Sequence, residues 1–228
     1  MLSTPDGNDY TRGDDIVTVS GFFDDAYGNH IKNAQVQLIV ETKTNTDVTS
    51  LISSWISSGE DFQYTSSSNG QFVFQFRFPT SMHGLYDIRV EFVGHYKDTA
   101  PSCPAEQYYL ITIDSTPEYE ATIWAGTSLT AYYYPSSVMM GQPITVWGTL
   151  TFDNGTVVNS GTLNVTFVDE YGELCDAGGF TQPTVSAGDY SQGITITWAG
   201  SDTIYVEFFD VPGSYIEGVK KQATYNEP

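Results

Sequence analysis

The side chains that could do chemistry in this sequence are mostly oxygen donors gathered in short polar runs. Asp14 and Asp15 precede the first strongly alternating segment, and Asp24 and Asp25 follow it. Asp153 stands beside Asn154, and Asp169 and Glu170 are followed closely by Glu173. Carboxylate and Asn oxygens packed into turns are the hard ligands that calcium takes, roughly six to eight at a time. Ca2+ is therefore the one cofactor these residues suggest. None of the runs spells an EF-hand loop. Asp, Asn and Gly are also the ordinary residues of turns, so both readings stand at this stage.

Two tripeptides offer a second chemistry. Asn154-Gly155-Thr156 and Asn164-Val165-Thr166 match the acceptor pattern for N-glycosylation. The first reads as a turn, the second as the outward parity of a strand. Arg12-Gly13-Asp14 spells an integrin tripeptide and reads equally as a turn into the next strand.

Catalysis needs a positioned nucleophile, base or metal. His30, His83 and His95 have no metal-ligand spacing, and neither Cys103 nor Cys175 has a motif around it. There is no GxSxG elbow, P-loop or dinucleotide glycine run. An acid pair of the glycosidase type stays open on sequence alone. The expectation is that the chain is not an enzyme.

Charge narrows the partners. Eight Lys+Arg stand against 28 Asp+Glu, a net charge of −20, which repels phosphate and disfavours nucleic acid. No run approaches the ~18 apolar residues of a membrane helix, so no direct membrane insertion is expected. Residues 1–10 are polar and lack the apolar centre of a signal peptide. The expectation is a signal already removed, a piece of a longer chain, or export by another route.

These residues must be positioned by strands. Hydrophobic residues make up 40% of the 228 residues, enough for real cores, and the apolar set is weighted toward Tyr (16) and Phe (13), which suit half-buried pleated surfaces. Phe72, Phe74, Phe76 and Phe78 share one parity, while Gln71, Gln75 and Arg77 take the other. Tyr86, Ile88, Val90 and Phe92 alternate in the same way, as do Leu163, Val165 and Phe167. Side chains alternate across a strand, so each set faces one core. Expected strands are 15–23, 34–41, 60–66, 71–79, 85–94 and 107–114, then 127–134, 143–152, 161–169, 184–190, 192–199, 203–210 and 219–226. No convincing helix is expected; 49–56 is the one segment with helical spacing.

The chain also repeats itself. Val17-Thr18-Val19-Ser20-Gly21 aligns with Ile144-Thr145-Val146-Trp147-Gly148. Ala34-Gln35-Val36-Gln37-Leu38 aligns with Gly161-Thr162-Leu163-Asn164-Val165, and Val90-Glu91-Phe92 with Val206-Glu207-Phe208. Duplicated modules explain this better than one large domain. With Ser115-Thr116-Pro117 as the junction, the expected domains are 1–115 and 116–228. Cys103 and Cys175 then fall at non-equivalent loop positions, so no bridge within either module is expected.

The opening run at Val17, the acidic Gly turn at Asp24, Asp25, Gly28 and Asn29, and Ala34–Leu38 resemble the start of bacterial and archaeal immunoglobulin-like surface modules. Asn69–Phe74 and Gly84–Val90 resemble their later strands. Tyr86 sits where such folds carry a tyrosine corner, and Asp202 occupies the matching place in the second half. The resemblance implies an all-β fold of two tandem immunoglobulin-like β-sandwich domains. It implies an extracellular, cell-surface structural role as in archaeal surface-layer proteins, a stalk or a filament. Partners would be other copies or neighbouring modules of the same assembly. The alternatives are a virion decoration or tail protein, or an adhesin for carbohydrate or a receptor. Tyr108-Tyr109 and Tyr132-Tyr133-Tyr134 put aromatics on both faces of their strands. Burial by the neighbouring module is the more ordinary reading, and an outward tyrosine would otherwise serve a sugar contact or a subunit interface.

Overall fold

A computed structural model describes residues 2–3, 9–22, 30–96, 119–175, 180–200 and 202–226. Asp24, Asp25, Cys103, Tyr108, Tyr109 and the expected strand 107–114 lie outside the described residues. The chain divides into two compact units, Met1–Trp124 and Ala125–Pro228.

The first unit contains β1 (Leu2–Ser3), β2 (Asp9–Thr11), β3 (Val17–Phe22), β4 (Ala34–Thr42), α1 (Thr49–Ile52), β5 (Phe62–Tyr64), β6 (Gln71–Phe76), β7 (Gly84–Tyr96) and β8 (Tyr119–Trp124). One layer runs β1-β3-β6, the other β2-β8-β7-β4-β5. Between them lie Val17, Val19, Val36, Leu38, Val40, Phe72, Phe74, Phe76, Phe78, Ile88, Val90 and Ile123, all buried. The four phenylalanines that share parity therefore face one interior. Burial of each large side chain contributes about 1.5–3 kcal/mol before entropy.

The second unit contains β9 (Thr127–Leu129), β10 (Tyr132–Tyr134), β11 (Pro143–Phe152), β12 (Ser160–Val168), β13 (Phe180–Thr181), β14 (Thr184–Ser186), β15 (Asp189–Thr195), β16 (Thr203–Phe208), β17 (Val219–Gln222) and β18 (Thr224–Tyr225). Its pairing path runs β17-β16-β12-β14-β15-β11-β10-β18. The last two strands are consecutive in the chain yet lie at opposite ends of that path, which nearly closes the sheet and protects its edges. A second core of Leu129, Ile144, Val146, Leu150, Leu163, Val165, Phe167, Val206 and Phe208 fills it.

Both units use one pairing scheme. The strand pairs β3–β6 and β4–β7 recur as β11–β15 and β12–β16. A short parallel pair also recurs, β2–β8 in the first unit and β10–β18 in the second. The register recurs too. Val36, Gln37 and Leu38 face Phe92, Glu91 and Val90; Leu163, Asn164 and Val165 face Phe208, Glu207 and Val206. With strands lettered in chain order, the second unit has A-B-E-D on one side and C-F-G on the other, the immunoglobulin-like layout. The fold class is all-β and immunoglobulin-like.

Four details differ from the sequence expectation. The boundary expected at 115/116 falls later. Tyr119–Trp124 pairs with β7 and β2, so the first unit needs it and extends to Trp124. The segment at 49–56 forms one helical turn and a 3-10 turn over Ser53–Trp55. The strand expected over 127–134 is interrupted at Thr130 and Ala131, although β9 and β10 both pair with β11 in one register. The hairpin expected to turn near Ser191 turns at Ala187-Gly188, both with positive φ (51° and 87°).

Candidate functional site

The acidic turns sit in separate places. Asp15 Oδ2 accepts the Thr11 amide at 2.6 Å. The Asp14 carboxylate is exposed, and its carbonyl accepts from Arg77 Nε at 3.1 Å. Asp169 Oδ1 accepts the amides of Tyr171 and Glu173, each at 2.9 Å, while Glu170 is exposed. The equivalent turn of the first unit, Thr42–Thr46, closes through the same backbone bond. There the Thr42 hydroxyl takes the place of the carboxylate, accepting the Thr46 amide at 3.3 Å. Asp169 thus does a turn-closing job that a hydroxyl also does.

Among the described candidates, Asp153 has an acidic neighbour from another segment. A Cβ placed on Gly126 would lie 3.7 Å from both Asp153 Oδ2 and Glu217 Oε2. Glu217 was invisible to sequence reading because it lies far along the chain, after β16. Among the described residues, no group of three or more His, Cys, Asp or Glu stands in a metal-holding arrangement.

The two sequons differ sharply. Asn154 is exposed in the turn Phe152–Thr156, where Gly155 takes φ 80°. Its Oδ1 accepts from Thr156 N at 3.0 Å and Thr156 Oγ1 at 2.7 Å. Asn164 is half-buried in mid-strand, opposite Glu207, and its Oδ1 accepts from Gln182 Nε2 at 2.9 Å. Arg12 of the integrin-like tripeptide is buried at 4% exposure, and its amide donates to Trp124 O at 3.1 Å. That burial supports the turn reading of Arg12-Gly13-Asp14.

An aromatic strip lies on the outer face of the second unit. Alternation turns Tyr133 toward the core and leaves Tyr132 and Tyr134 outward. Tyr132 pairs with Trp147, which pairs with Ser191; Tyr134 pairs with Thr145, which pairs with Gly193. The Tyr132 and Trp147 rings are 6.1 Å apart. A Cβ on Gly193 would touch nothing, so the face is open there. No charged side chain stands in these two rows. The matching positions in the first unit are Ser20 and Thr18, so the strip has no aromatic counterpart at those two positions. An open cleft of about 520 Å³ lined by Pro135, Ser137, Val138, Met139, Gln142 and Pro143 adjoins these strand ends.

The tyrosine-corner positions also diverge. Tyr86 Oη donates to His83 O at 3.3 Å, a bond back to the backbone just upstream as such corners make. In the second unit Asp202 instead accepts from Trp198 Nε1 and, at 3.1 Å, from Cys175 Sγ. Burial first, then the Asp202 carboxylate, pushes the Cys175 thiol up to about 12. A thiol held protonated in this way is a weak nucleophile.

No protein-family model matches the sequence, and no curated protein matches it. Solved structures with similar strand layout include the Yersinia pseudotuberculosis adhesin InvE, 12% identical with a TM-score of 0.39. That alignment covers 100% of this chain and 58% of the adhesin. Another is invasin, a bacterial integrin-binding protein, 15% identical with a TM-score of 0.41, covering 99% of this chain and 39% of invasin. The amphioxus IgVJ-C2 molecule is 14% identical with a TM-score of 0.36, covering 94% of this chain and 97% of that molecule. The chain thus spans less than two thirds of either bacterial protein. Likeness at this level does not carry a function, and the fold assignment rests on the strand pairing itself. No helix among the described residues is long and apolar enough to cross a membrane.

Proposed function

We propose that this chain is a non-enzymatic structural module of an extracellular surface protein, of the kind that builds a surface layer, stalk or filament from serial copies. The observation that carries the reading is the repeated register: one self-contained strand scheme, with its own core, is written twice in succession. Such a unit extends a chain by simple repetition, because each copy closes its own interior. The net charge of −20 keeps such a surface soluble and discourages non-specific association. Its partners are neighbouring modules and other copies. Antibodies raised against the purified chain are expected to label intact, unpermeabilised cells of the producing organism. Label that appears only after lysis would overturn the reading.

A second reading, an adhesin for neutral carbohydrate, is favoured by the Tyr132–Trp147–Tyr134 strip. Aromatic rings flanked by Ser and Thr hydroxyls, without charge, suit a sugar face. A neutral-glycan array probed with the chain and with Trp147→Ala tests it. Binding lost in the variant supports it, and a blank array removes it.

A further inference from the structure

We propose that Asn154 is the N-glycan acceptor of this chain and that Asn164 is not, the donor being an oligosaccharide carried on a lipid diphosphate. Its biological setting rests on the extracellular reading above; the choice between the two residues rests on local geometry alone.

An acceptor must present its carboxamide to a transferase while the hydroxyl two residues on stays beside it. At Asn154 both conditions hold. The residue is exposed at the tip of a hairpin turn, and Gly155, in the left-handed region at φ 80°, folds the chain back. Thr156 Oγ1 then reaches Asn154 Oδ1 at 2.7 Å, and the Thr156 amide reaches the same oxygen at 3.0 Å. The carboxamide oxygen is thereby fixed by the sequon's own hydroxyl. The turn projects from the end of β11, so a bulky glycan there displaces no core residue.

At Asn164 both conditions fail. The residue lies within β12, where residues two apart are separated by about 6.6 Å along the strand. The Thr166 hydroxyl is therefore held away from the Asn164 carboxamide. That carboxamide accepts from Gln182 at 2.9 Å, and Asn164 stands opposite Glu207 on the paired strand. Bringing the Thr166 hydroxyl beside it would require β12 to leave a sheet in which it pairs with β16 over six rungs.

Transfer forms one bond between Asn154 Nδ2 and the anomeric carbon of the sugar. The anomeric C–O bond to the diphosphate breaks, and the lipid diphosphate leaves with the bonding pair. One amide proton passes to a base of the transferring enzyme. No oxidant or reductant is needed.

The test is secretion of the whole chain from mammalian cells behind a supplied signal sequence, followed by glycopeptide mapping. The expected result is a single N-glycan on Asn154, whose enzymatic release leaves Asp at that position. Asn154→Gln and Thr156→Val are each expected to abolish it, and Asn164→Gln to leave it unchanged. Circular dichroism of each secreted variant establishes that the fold persists. A glycan on Asn164, on both residues, or on neither overturns the proposal. Because the host supplies the secretory route, failure here is separate from failure of surface labelling on the producing organism.

Discussion

Leu38 lies directly across from Val90, and both side chains are fully buried. Val165 and Val206 form the same rung in the second unit, again fully buried. The two rungs follow from one alignment of the sequence with itself, so the repeat is a repeat of contacts and not only of residue types.

Removing side chains in or next to these rungs should be costly in both units. Leu38→Ala and Leu163→Ala are each expected to destabilise by about 2–5 kcal/mol through lost burial and the cavity left behind. Chemical denaturation reads this as a lowered midpoint at unchanged slope. A cost below about 1 kcal/mol in either variant would contradict a tightly packed core.

Gly148 tests the close approach of the Thr130–Ala131 link between β9 and β10. A Cβ there would stand 1.9 Å from Thr130 O and 2.8 Å from Tyr190 Oη, while Tyr190 Oη donates to that same carbonyl at 2.8 Å. Backbone cannot yield as a flexible side chain can. Gly148→Ala is expected to cost about 3 kcal/mol or more, seen as a lower melting temperature. A neutral substitution would show that the Thr130 carbonyl is not pressed against Gly148.

Ala187 offers a gain instead of a loss. It holds φ 51° in a two-residue turn before Gly188, a conformation that costs an ordinary L-residue about 1–2 kcal/mol. Asn-Gly is the pair such turns favour. Ala187→Asn is expected to raise stability by about 0.5–1 kcal/mol in denaturant titrations. A loss of stability would mean the hairpin turns elsewhere.

Cys175 and Tyr190 predict a pH dependence. Burial raises both, the Asp202 and Asp169 carboxylates adding to it at Cys175 and the nearby Tyr132 at Tyr190. Both are neutral acids whose folded values exceed their unfolded ones, about 8.5 for Cys and 10 for Tyr. Their contribution is therefore complete below those unfolded values. It is lost as pH rises toward the folded ones, because the unfolded chain ionises first. Unfolding free energy should fall from about pH 8.5 upward, and Cys175→Ala should show a shallower fall. Identical slopes would remove Cys175 from the account.

Much of this fold was legible in the residues. The stripe Phe72–Phe78 and the run Tyr86–Phe92 announce strands because alternation has a period of two and one face must be dry. The aligned Gly21 and Gly148 mark a shared position, although only the structure shows the carbonyl pressed against Gly148. Tyr119–Trp124 was missed because Ser115-Thr116-Pro117 punctuates like a linker and only two residues of the strand beyond it, Ala121 and Ile123, are buried. Ala187-Gly188 was passed over because Ala does not ordinarily signal a left-handed turn. The candidate site was less legible. Asp153 and Glu217 approach through tertiary structure, and Asp202 gathers Trp198 and Cys175 where an aromatic corner was the only template. Trp147 falls on an outward parity, which sequence can state but whose neighbours it cannot name.

The most direct measurement is folding of the two units made separately, as Met1–Trp124 and Ala125–Pro228. Each is expected to give a β-sheet circular dichroism spectrum, dispersed amide resonances and a cooperative melt of its own. A first fragment cut at the Ser115-Thr116-Pro117 junction lacks β8 and is expected to remain unfolded. If either full unit stays unfolded alone and orders only in the presence of the other, the two interiors depend on one another. The claim of a self-sufficient scheme written twice would then be contradicted.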